Sequence, residues 1–322
     1  MNLQVIINKG SRLARKERTL AIIKSKFGAL LCGIRETSCA QDASDAAGRA
    51  ANSDIDTLVV VGGDGTVNGV LQSVAGTTVA LGIIPGGTAN DLASLYERSA
   101  DVAAACDVIL RRKLRSVDLI GINGRYFVTG GGLGLPSEVA AHVNAVKCGS
   151  GFGTMLGATF GSKLYVMSAV SALVRHVYEK NLLTMQWGRD SLTADCLSLT
   201  VSNQPFVGRH FFLSPRAANN DGVFDVCLIE NSPSRVQVAA TLTQVLRGAH
   251  SSSSSLIRWR AQELIVRAAK PLPFFGDGEH LHTADVFTVK IYPKSLNLIV
   301  PGNQTQAEIR SLRERNSHGV DN

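Results

Sequence analysis

Apolar and polar residues follow two different patterns along the chain, one in its first third and one in the remainder. In the first third, short apolar runs at residues 3–8, 57–61 and 79–84 are each followed by stretches with helical spacing. Strands that alternate with helices in this way predict an α/β domain, a parallel sheet with helices on both faces. In such sheets, ligands bind beyond the carboxyl ends of the strands.

After about residue 114 the pattern changes to consecutive strand-like runs separated by turn signals, with few helical stretches between them. This pattern predicts a mostly antiparallel, β-rich second domain. We therefore expect an α/β domain over residues 1–125, a β-rich domain over 126–301, a cleft between the two domains, and a flexible polar tail over 302–322.

Composition and charge narrow the function classes only in part. The 322 residues are 45% hydrophobic and 18% charged, which is typical of a globular protein. A net charge of +7 suits an acidic partner such as a phosphate or an anionic lipid, although charge alone favours the simpler explanation of solubility. The sequence contains no zinc finger, basic heptad region or RNA-binding aromatic pattern, so we expect no nucleic-acid partner.

The sequence predicts a protein of the cytoplasm rather than of the membrane. Its N-terminus begins directly with a strand-like run, which predicts no signal peptide, and its six scattered cysteines suit a reducing compartment. Residues 152–174 are the candidate membrane span, but Lys163 and three glycines favour a buried or interfacial helix. We expect no transmembrane segment and only peripheral contact with a membrane. The sequence leaves the oligomeric state open, a homodimer included.

The strongest chemical feature is a glycine-rich turn after the run at 57–61, with the sequence Gly62-Gly63-Asp64-Gly65-Thr66-Val67-Asn68. Glycines leave backbone N–H groups bare, and the following helix presents its positive end, so the turn could cradle a phosphate. Asp64 could then hold Mg²⁺ against that phosphate. The simpler alternative is a tight turn capped by Asp64; the full motif favours the phosphate site.

A second glycine turn repeats this arrangement one strand later, with the sequence Pro85-Gly86-Gly87-Thr88-Ala89-Asn90-Asp91. Thr88 or Asn90 could cap a helix or hydrogen-bond a phosphate or a base. Taken alone, this turn carries no functional assignment. Two such turns on neighbouring parallel strands favour one shared site.

With two further motifs, the chain resembles the diacylglycerol kinase catalytic-domain family, which also includes bacterial lipid kinases and sphingosine and ceramide kinases. The four ordered motifs are GGDGTVN at 62–68, PGGTANDLA at 85–93, NNDGVFD at 219–225 and FGDGE at 275–279. The first two are shared in part with NAD kinases and phosphofructokinases, whereas the last two favour the lipid kinases. The chain lacks the P-loop motif, as does the family.

The resemblance implies an ATP-dependent kinase that transfers the γ-phosphate, with Mg²⁺, to the hydroxyl of a diacylglycerol-like lipid at a membrane surface. It implies nucleotide contacts for Asn8, Gly62, Gly63, Asp64, Gly65, Thr66, Asn68, Gly86, Gly87, Thr88 and Asn90. Within the proposed catalytic group, Glu279 matches the general base, Asp277 lies beside it, and Asp118 matches an aspartate near the active metal; Asp64 completes the group. Asp221 and the main-chain carbonyls of Ala218 and Val223 match the ligands of a second, structural Mg²⁺.

Two positions depart from the family pattern. Asn8 is followed by Lys9 where proline is common, and Asn68 is followed by Gly69 where many members have glutamate. The second change weakens any role for a carboxylate at that position. Neither change removes a candidate metal or base residue.

Several alternatives stay open at the level of sequence. The Asp277-Gly278-Glu279 segment alone indicates a surface hairpin turn, and Asp118 alone could be a plain polar strand residue. Residues 133–146 and 152–174 could line a path for acyl chains or could be ordinary core. An NAD kinase-like or other soluble-substrate kinase, and a non-catalytic nucleotide or lipid sensor, remain alternative functions. The sequence does not name the lipid.

Overall fold

The structure is a computed structural model that describes residues 1–11, 13, 17–87, 90–96, 101–148, 181–206, 214–231, 243 and 256–302. The chain divides into two compact units. The first contains Met1–Leu119 and the described residues from 293 to 302, and the second is Ile120–Tyr292. The expectations for Thr88, for residues 152–174 and for the tail beyond Gly302 lie outside the described residues.

The first unit alternates strands and helices. Its elements are β1 (Leu3–Asn8), α1 (Glu17–Phe27), a 3₁₀ turn (Gly28–Leu30), β2 (Leu31–Thr37), α2 (Ala40–Ala51), β3 (Thr57–Gly62), α3 (Asp64–Val74), β4 (Ala80–Pro85), α4 (Asp91–Leu95), α5 (Val102–Arg111) and β5 (Leu114–Ile122). Strands β2, β1, β3 and β4 lie in this order, and each neighbouring pair is parallel. Every residue of β3 and β4 is buried, as is typical of parallel strands covered on both faces.

Helices α1 and α5 supply much of the core of this unit. Phe27 of α1 and Ile109 of α5 share a buried cluster with Val5 and Val59 of the sheet, and each of these side chains is at most 1% exposed. Burial of a side chain of this size contributes about 1.5–3 kcal/mol. Helices α2 and α3 pack on each other and contact β1 and β3 respectively. The apolar faces of α1 and α5 therefore build the core cluster that these two helices share with the sheet.

The second unit consists mainly of antiparallel strands. Its elements are β6 (Arg125–Phe127), β7 (Gly130–Gly134), α6 (Leu135–Cys148), β8 (Leu182–Trp187), β9 (Asp190–Ser202), β10 (Phe224–Glu230), β11 (Leu256–Ala261), β12 (Glu263–Gly276) and β13 (Glu279–Ile299). Antiparallel pairs join β11 to β10, β10 to β9, β9 to β7 and β8, and β12 to β7, β8 and β13. Phe127, Phe274 and Phe287 form the aromatic centre of its core. The expected organisation, an α/β part and a β-rich part, is confirmed.

Helix α6 is core rather than an open lining for a ligand. Leu135, Val139, Ala140 and Val143 are all buried, and the helix packs on β7, β9 and β12. For residues 133–146 the structure therefore favours ordinary core over a path for acyl chains. Within the described part of the chain, no helix has the length and apolar character to cross a bilayer.

The domain boundaries differ from those expected from the sequence. The sequence pattern predicts that residues up to 301 belong to the second domain, but Asn297 and Leu298 of β13 pair in parallel with Ala80 and Leu81 of β4, which belong to the first unit. This pairing satisfies the backbone of the last strand residues within the first sheet. The first crossing between the units falls inside β5, after Leu119, rather than at residue 125.

Candidate active site

Hydrogen bonds join the three loops that follow β1, β3 and β4. Gly86 N–H donates to the Gly62 carbonyl at 2.8 Å, which links the loops after β3 and β4. Asn8 Nδ2 donates to Thr66 Oγ1 at 3.0 Å, and Ser11 Oγ donates to the Gly86 carbonyl at 3.3 Å. Because the strands are parallel, their carboxyl ends meet at one edge of the sheet. The structure therefore brings together the residues of both glycine turns and the end of the first strand.

Close packing explains the glycines of the two turns. A Cβ on Gly63 would lie 2.9 Å from the Gly87 Cα, and a Cβ on Gly62 would lie 2.7 Å from Thr66 Oγ1. Gly62, Gly63, Gly86 and Gly87 all have ordinary φ angles, so their backbone conformation alone would allow other residues. Turns without side chains let a ligand approach the backbone closely, which is the geometry of a phosphate cradle.

Helix α3 starts at the end of β3 with only Gly63 between them as its N-cap. Gly65 consequently lies in the first turn of the helix rather than in the preceding loop. The first turn of a helix carries N–H groups without helical partners and a positive partial charge. Both features lie next to the glycine turns, where a phosphate would benefit from them.

The carboxylate of Asp64 connects the two turns. Its Oδ2 accepts the backbone N–H of Asn90 at 2.8 Å, and its Oδ1 accepts that of Asp91 at 2.7 Å. Asn90 has a left-handed backbone with φ 51°, and its side chain exchanges two hydrogen bonds of 2.9 Å with the backbone of Gly87. Asp64 and Asn90 together fix the shape of the second turn.

Asn68 lies inside α3 and is 2% exposed. Its carbonyl and its Oδ1 both accept from Gln72 Nε2 at 3.2 Å. The adjacent Gly69 faces α2, since a Cβ there would lie 3.0 Å from the Ala40 Cα and would collide with the Ala40 carbonyl. The departure from the family pattern at Gly69 thus has a structural reason: a glutamate has no room between the two helices.

Asp118 lies in β5 and is 1% exposed. Its Oδ1 accepts the backbone N–H of Lys294 at 2.8 Å. Lys294 has a positive φ of 52°, and it follows Pro293, which has no N–H to donate. This contact gives Asp118 a role in fixing an irregular point of the last strand, within the first unit.

Asp277 is a structural anchor of the turn that carries Glu279. Its carboxylate accepts the backbone N–H of Val128 at 3.1–3.2 Å, the N–H of Thr129 at 2.8 Å and the hydroxyl of Thr129 at 2.7 Å. Asp277 N–H donates to the Gly130 carbonyl at 3.0 Å. These contacts hold the turn to the Val128–Thr129 segment.

Glu279 is the first residue of β13 and is half-buried. Asp277 and Gly278 form the two-residue connection between β12 and β13, with φ values of 53° and 80°. Two positive φ angles in a two-residue hairpin loop are the signature of a type I′ turn, for which Asp-Gly is a favoured pair. The hairpin turn indicated by the sequence is present, and its anchored geometry gives Glu279 a defined position.

The sequence did not single out the residues that support this turn. Asn144 Nδ2, in α6, donates to the Gly278 carbonyl at 2.9 Å. Asn203 contacts the Val128–Thr129 segment, donating from Nδ2 to the Val128 carbonyl at 3.1 Å and from N–H to the Thr129 carbonyl at 2.8 Å. No sequence pattern connects these residues with Asp277, because their contacts form only in the folded second unit.

The residues expected to hold a structural Mg²⁺ have a different environment. Asp221 accepts from the Arg260 guanidinium through Oδ2 and from Val223 N–H through Oδ1 at 3.4 Å. Burial raises the pKa of the neighbouring Asp225, while the charge of Arg260 opposes that rise. Since an arginine already contacts the one carboxylate of the expected set, Ala218, Asp221 and Val223 do not fit a divalent cation.

Among the described residues, no three His, Cys, Asp or Glu side chains are grouped as a metal site would require. The His280 ring, beside Glu279, shares a hydrogen bond of 2.9 Å with Thr283 Oγ1. A catalytic Mg²⁺ in a kinase is normally held by one or two carboxylates together with the phosphates of the nucleotide. Such a site needs no larger cluster of protein side chains.

Two family descriptions match the two parts of the chain. The diacylglycerol kinase catalytic domain matches residues 2–122, and the YegS C-terminal NAD kinase beta sandwich-like domain matches residues 134–300, just over half of the chain. The chain belongs to the family that joins a diacylglycerol kinase catalytic domain to this C-terminal domain. As a member of this family it is a kinase, and the resemblance carried by the four sequence motifs is confirmed.

Relatives of this diacylglycerol kinase family member extend over nearly its whole length. It is 26% identical to a diacylglycerol kinase of Bacillus subtilis (strain 168) over 308 residues, 94% of this chain and 97% of that one. It is similar to the crystal structure of a diacylglycerol kinase from Bacillus anthracis str. Sterne, with a TM-score of 0.70, 17% identity, and coverage of 93% and 96% of the two chains.

The structure is also similar, more distantly, to that of an NAD kinase. The crystal structure of an NAD kinase from Archaeoglobus fulgidus in complex with ATP has a TM-score of 0.54 and 11% identity, and the match covers 98% of this chain and 99% of that one. At the identities of both structural matches, the likeness shows the fold alone. The two-domain fold is thus common to members of both kinase families.

Proposed function

We propose that this kinase uses ATP to phosphorylate a lipid hydroxyl, with a diacylglycerol-like lipid as the first candidate. The observation that carries the proposal is the hydrogen-bonded junction of the two glycine turns through Asp64. This junction is the kind of rigid backbone surface that a triphosphate requires. Membership of the diacylglycerol kinase family supports the choice of a lipid as the acceptor.

The nucleotide side of the reaction belongs to the first unit. The proposed phosphate contacts come from the turns at Gly62–Gly63 and Gly86–Gly87 and from the first turn of α3, with Asn8, Thr66, Asn68, Thr88 and Asn90 as supporting polar groups. Asp64 holds the second turn against the first. When bound with the nucleotide, Mg²⁺ would neutralise phosphate charge in this region, and Asp64 is the carboxylate proposed to face it. Asp118 is bonded to Lys294, whose neighbour Ser295 contacts Gly76 before the start of β4, so it lies at the other end of that strand from the glycine turn.

The acceptor side of the reaction belongs to the second unit. Glu279 is the proposed general base, and its carboxylate takes the proton of the lipid hydroxyl. The alcohol oxygen forms a bond to the γ-phosphorus while the bond between that phosphorus and the β–γ bridging oxygen breaks, so that ADP leaves. Asp277 is a positioning residue, because its carboxylate is committed to the backbone and hydroxyl of Val128–Thr129.

The test is transfer of labelled γ-phosphate from ATP to a panel of lipids in mixed micelles, with NAD⁺ in a parallel reaction. Variants are Glu279→Gln and, as a matched control, Glu263→Gln, which changes an exposed glutamate at the start of β12. We expect labelled lipid from the wild type and the control, and a loss of about 10²-fold or more in Glu279→Gln, the usual contribution of a general base.

Labelled NADP⁺, formed from NAD⁺, without labelled lipid would reject the lipid acceptor in favour of the NAD kinase-like alternative. ATP binding by calorimetry without any labelled product would favour a sensor. Equal lipid phosphorylation by wild type and Glu279→Gln would remove Glu279 as the base while leaving the substrate assignment in place.

A further inference from the structure

The structure places one arginine between two aspartates of the third sequence motif. Asp225 in β10 pairs directly with Arg260 in β11, so the strand register fixes the arginine opposite that aspartate. The Arg260 guanidinium contacts the carboxylate of Asp221, and its Nε lies 3.5 Å from Asp225 Oδ2. A single side chain therefore bridges both carboxylates.

This contact uses the carboxylate that the family resemblance assigns to a structural Mg²⁺. Asp221 Oδ2 faces the guanidinium, and Oδ1 accepts the backbone N–H of Val223. Mg²⁺ binds through oxygen ligands at short distances and requires a near-octahedral shell. A positive guanidinium beside the only acidic ligand would repel such an ion.

We propose that Arg260 takes the place of the structural divalent cation in this protein, so that the second unit folds without bound Mg²⁺. The guanidinium is charged at every relevant pH and presents its donors in a fixed plane suited to carboxylates. The loop that contains Asp221 is joined to β11 by this contact in the same way that a shared cation would join it. Stability then does not depend on the free metal concentration, whereas a bound ion stabilises by mass action.

An ordinary surface ion pair is the competing explanation, because exposed pairs contribute little to stability. The two explanations differ in what removal of the arginine leaves behind. If Arg260 stands where a cation would bind, its removal leaves the Asp221 carboxylate, together with the main-chain carbonyls that the resemblance assigns to the same site, open to divalent ions. If the contact is only a surface pair, its removal creates no ion-binding site.

The experiment compares thermal unfolding of the full chain, without nucleotide, in a chelator and in millimolar MgCl₂ or CaCl₂. The chains are wild type, Arg260→Gln and Arg267→Gln, the last of which changes an exposed arginine of β12. Each of these three chains is also made in a second form that carries Asp221→Asn. The measured quantity is the difference in the metal-induced Tm shift between the two forms. This subtraction removes ions bound elsewhere, such as any in the proposed nucleotide site.

We expect no Asp221-dependent shift in wild type or in Arg267→Gln. In Arg260→Gln we expect a lower Tm in chelator and a rise of several degrees on addition of metal, with saturable Ca²⁺ binding in calorimetry. An Asp221-dependent shift in wild type would overturn the proposal, as would an Arg260→Gln chain that is destabilised but gains no response to either ion.

Discussion

The carboxylate of Asp64 accepts the backbone N–H of Asp91 at 2.7 Å, although 27 residues separate them along the chain. Its other oxygen accepts the N–H of Asn90, at the start of α4. One side chain therefore holds the glycine turn after β3 to the turn after β4. The shape of the proposed phosphate site depends on this contact as much as on the glycines themselves.

Asp64→Asn should weaken ATP binding both with and without Mg²⁺. The amide has one acceptor oxygen, so at least one of the two backbone hydrogen bonds is lost, and a hydrogen bond to a charged group is worth about 1.5–3 kcal/mol. That corresponds to a loss of about tenfold or more in affinity. Calorimetry with a non-hydrolysable ATP analogue, in Mg²⁺ and in chelator, measures it.

The matched control is Asp45→Asn, an exposed aspartate of α2 that accepts a hydrogen bond from Gln41. Its affinity should equal that of the wild type. If Asp64→Asn lost affinity only when Mg²⁺ was present, Asp64 would act as a metal ligand and its role in joining the turns would be refuted.

Asn144→Ala should lower kcat without changing KM for ATP. The substitution removes the hydrogen bond to the Gly278 carbonyl, in the turn that carries Glu279. A net contribution of about 0.5–1.5 kcal/mol from one hydrogen bond predicts a fall in kcat of about two- to tenfold. Steady-state kinetics with the lipid substrate found in the transfer assay, and the pH dependence of kcat, measure the effect.

Asn52→Ala is the control for this variant, because Asn52 Nδ2 also donates to a backbone carbonyl at 2.9 Å, that of Gly48. It should leave kcat unchanged. A lower Tm in Asn144→Ala with kcat and its pH profile intact would assign Asn144 to stability alone.

The positions of the glycine turns were predictable because each follows a short β-branched run, and parallel strands end at one edge. The partner of Asp64 was not predictable. The pattern places an aspartate after two glycines, but such a carboxylate can face a metal or accept backbone N–H groups. The partner lies on another strand's loop, so only the packing of β3 beside β4 reveals it.

Long-range contacts explain the other differences between sequence and structure. Asn144 and Gly278 are 134 residues apart, and Asp118 meets Lys294 across 176 residues. The sequence around each residue does not indicate its partner. In both pairs a side chain hydrogen-bonds an irregular backbone segment that is distant along the chain. The pairing of Asn297–Leu298 with β4 was not predictable for the same reason. The sequence pattern at the end of an apolar strand does not indicate to which domain's sheet the strand end belongs.

Gly69→Ala should destabilise the first unit despite the higher helix propensity of alanine. The new Cβ would lie 3.0 Å from the Ala40 Cα, where backbone rather than a movable side chain blocks it. Overpacking of this kind costs about 1–3 kcal/mol, more than the propensity gain of about 1 kcal/mol. Chemical denaturation measures the free energy of unfolding.

The control for this variant is Gly48→Ala, in the facing helix α2. A Cβ there would lie 3.5 Å from Ser73 Oγ, an ordinary contact, so alanine should be neutral or stabilising. If both substitutions stabilised the protein equally, the close approach of α2 and α3 at Gly69 would be disproved.

Buried and exposed cysteines should differ sharply in reactivity. Burial raises the pKa of Cys106 to about 11 and that of Cys196 to about 12, whereas Cys32 and Cys39 are exposed. Because the thiolate is the reactive form, a thiol with a pKa near 11 is ionised to only about 0.1% at pH 8. Iodoacetamide should therefore modify Cys32 and Cys39 in the native protein and spare Cys106 and Cys196, as peptide mass spectrometry can measure.

The raised pKa values of Cys106 and Cys196 also make the free energy of unfolding depend on pH. The folded-state pKa values of Cys106 and Cys196 lie above the reference value of 9.0, so the unfolded chain releases these protons first. The stability they contribute is complete below pH 9 and is lost as the pH rises towards 11–12. Cys196→Ala should flatten this decline in the free energy of unfolding, while Cys32→Ala should not. Equal alkaline profiles for wild type and Cys196→Ala, or rapid native labelling of Cys196, would show that this thiol is open to solvent.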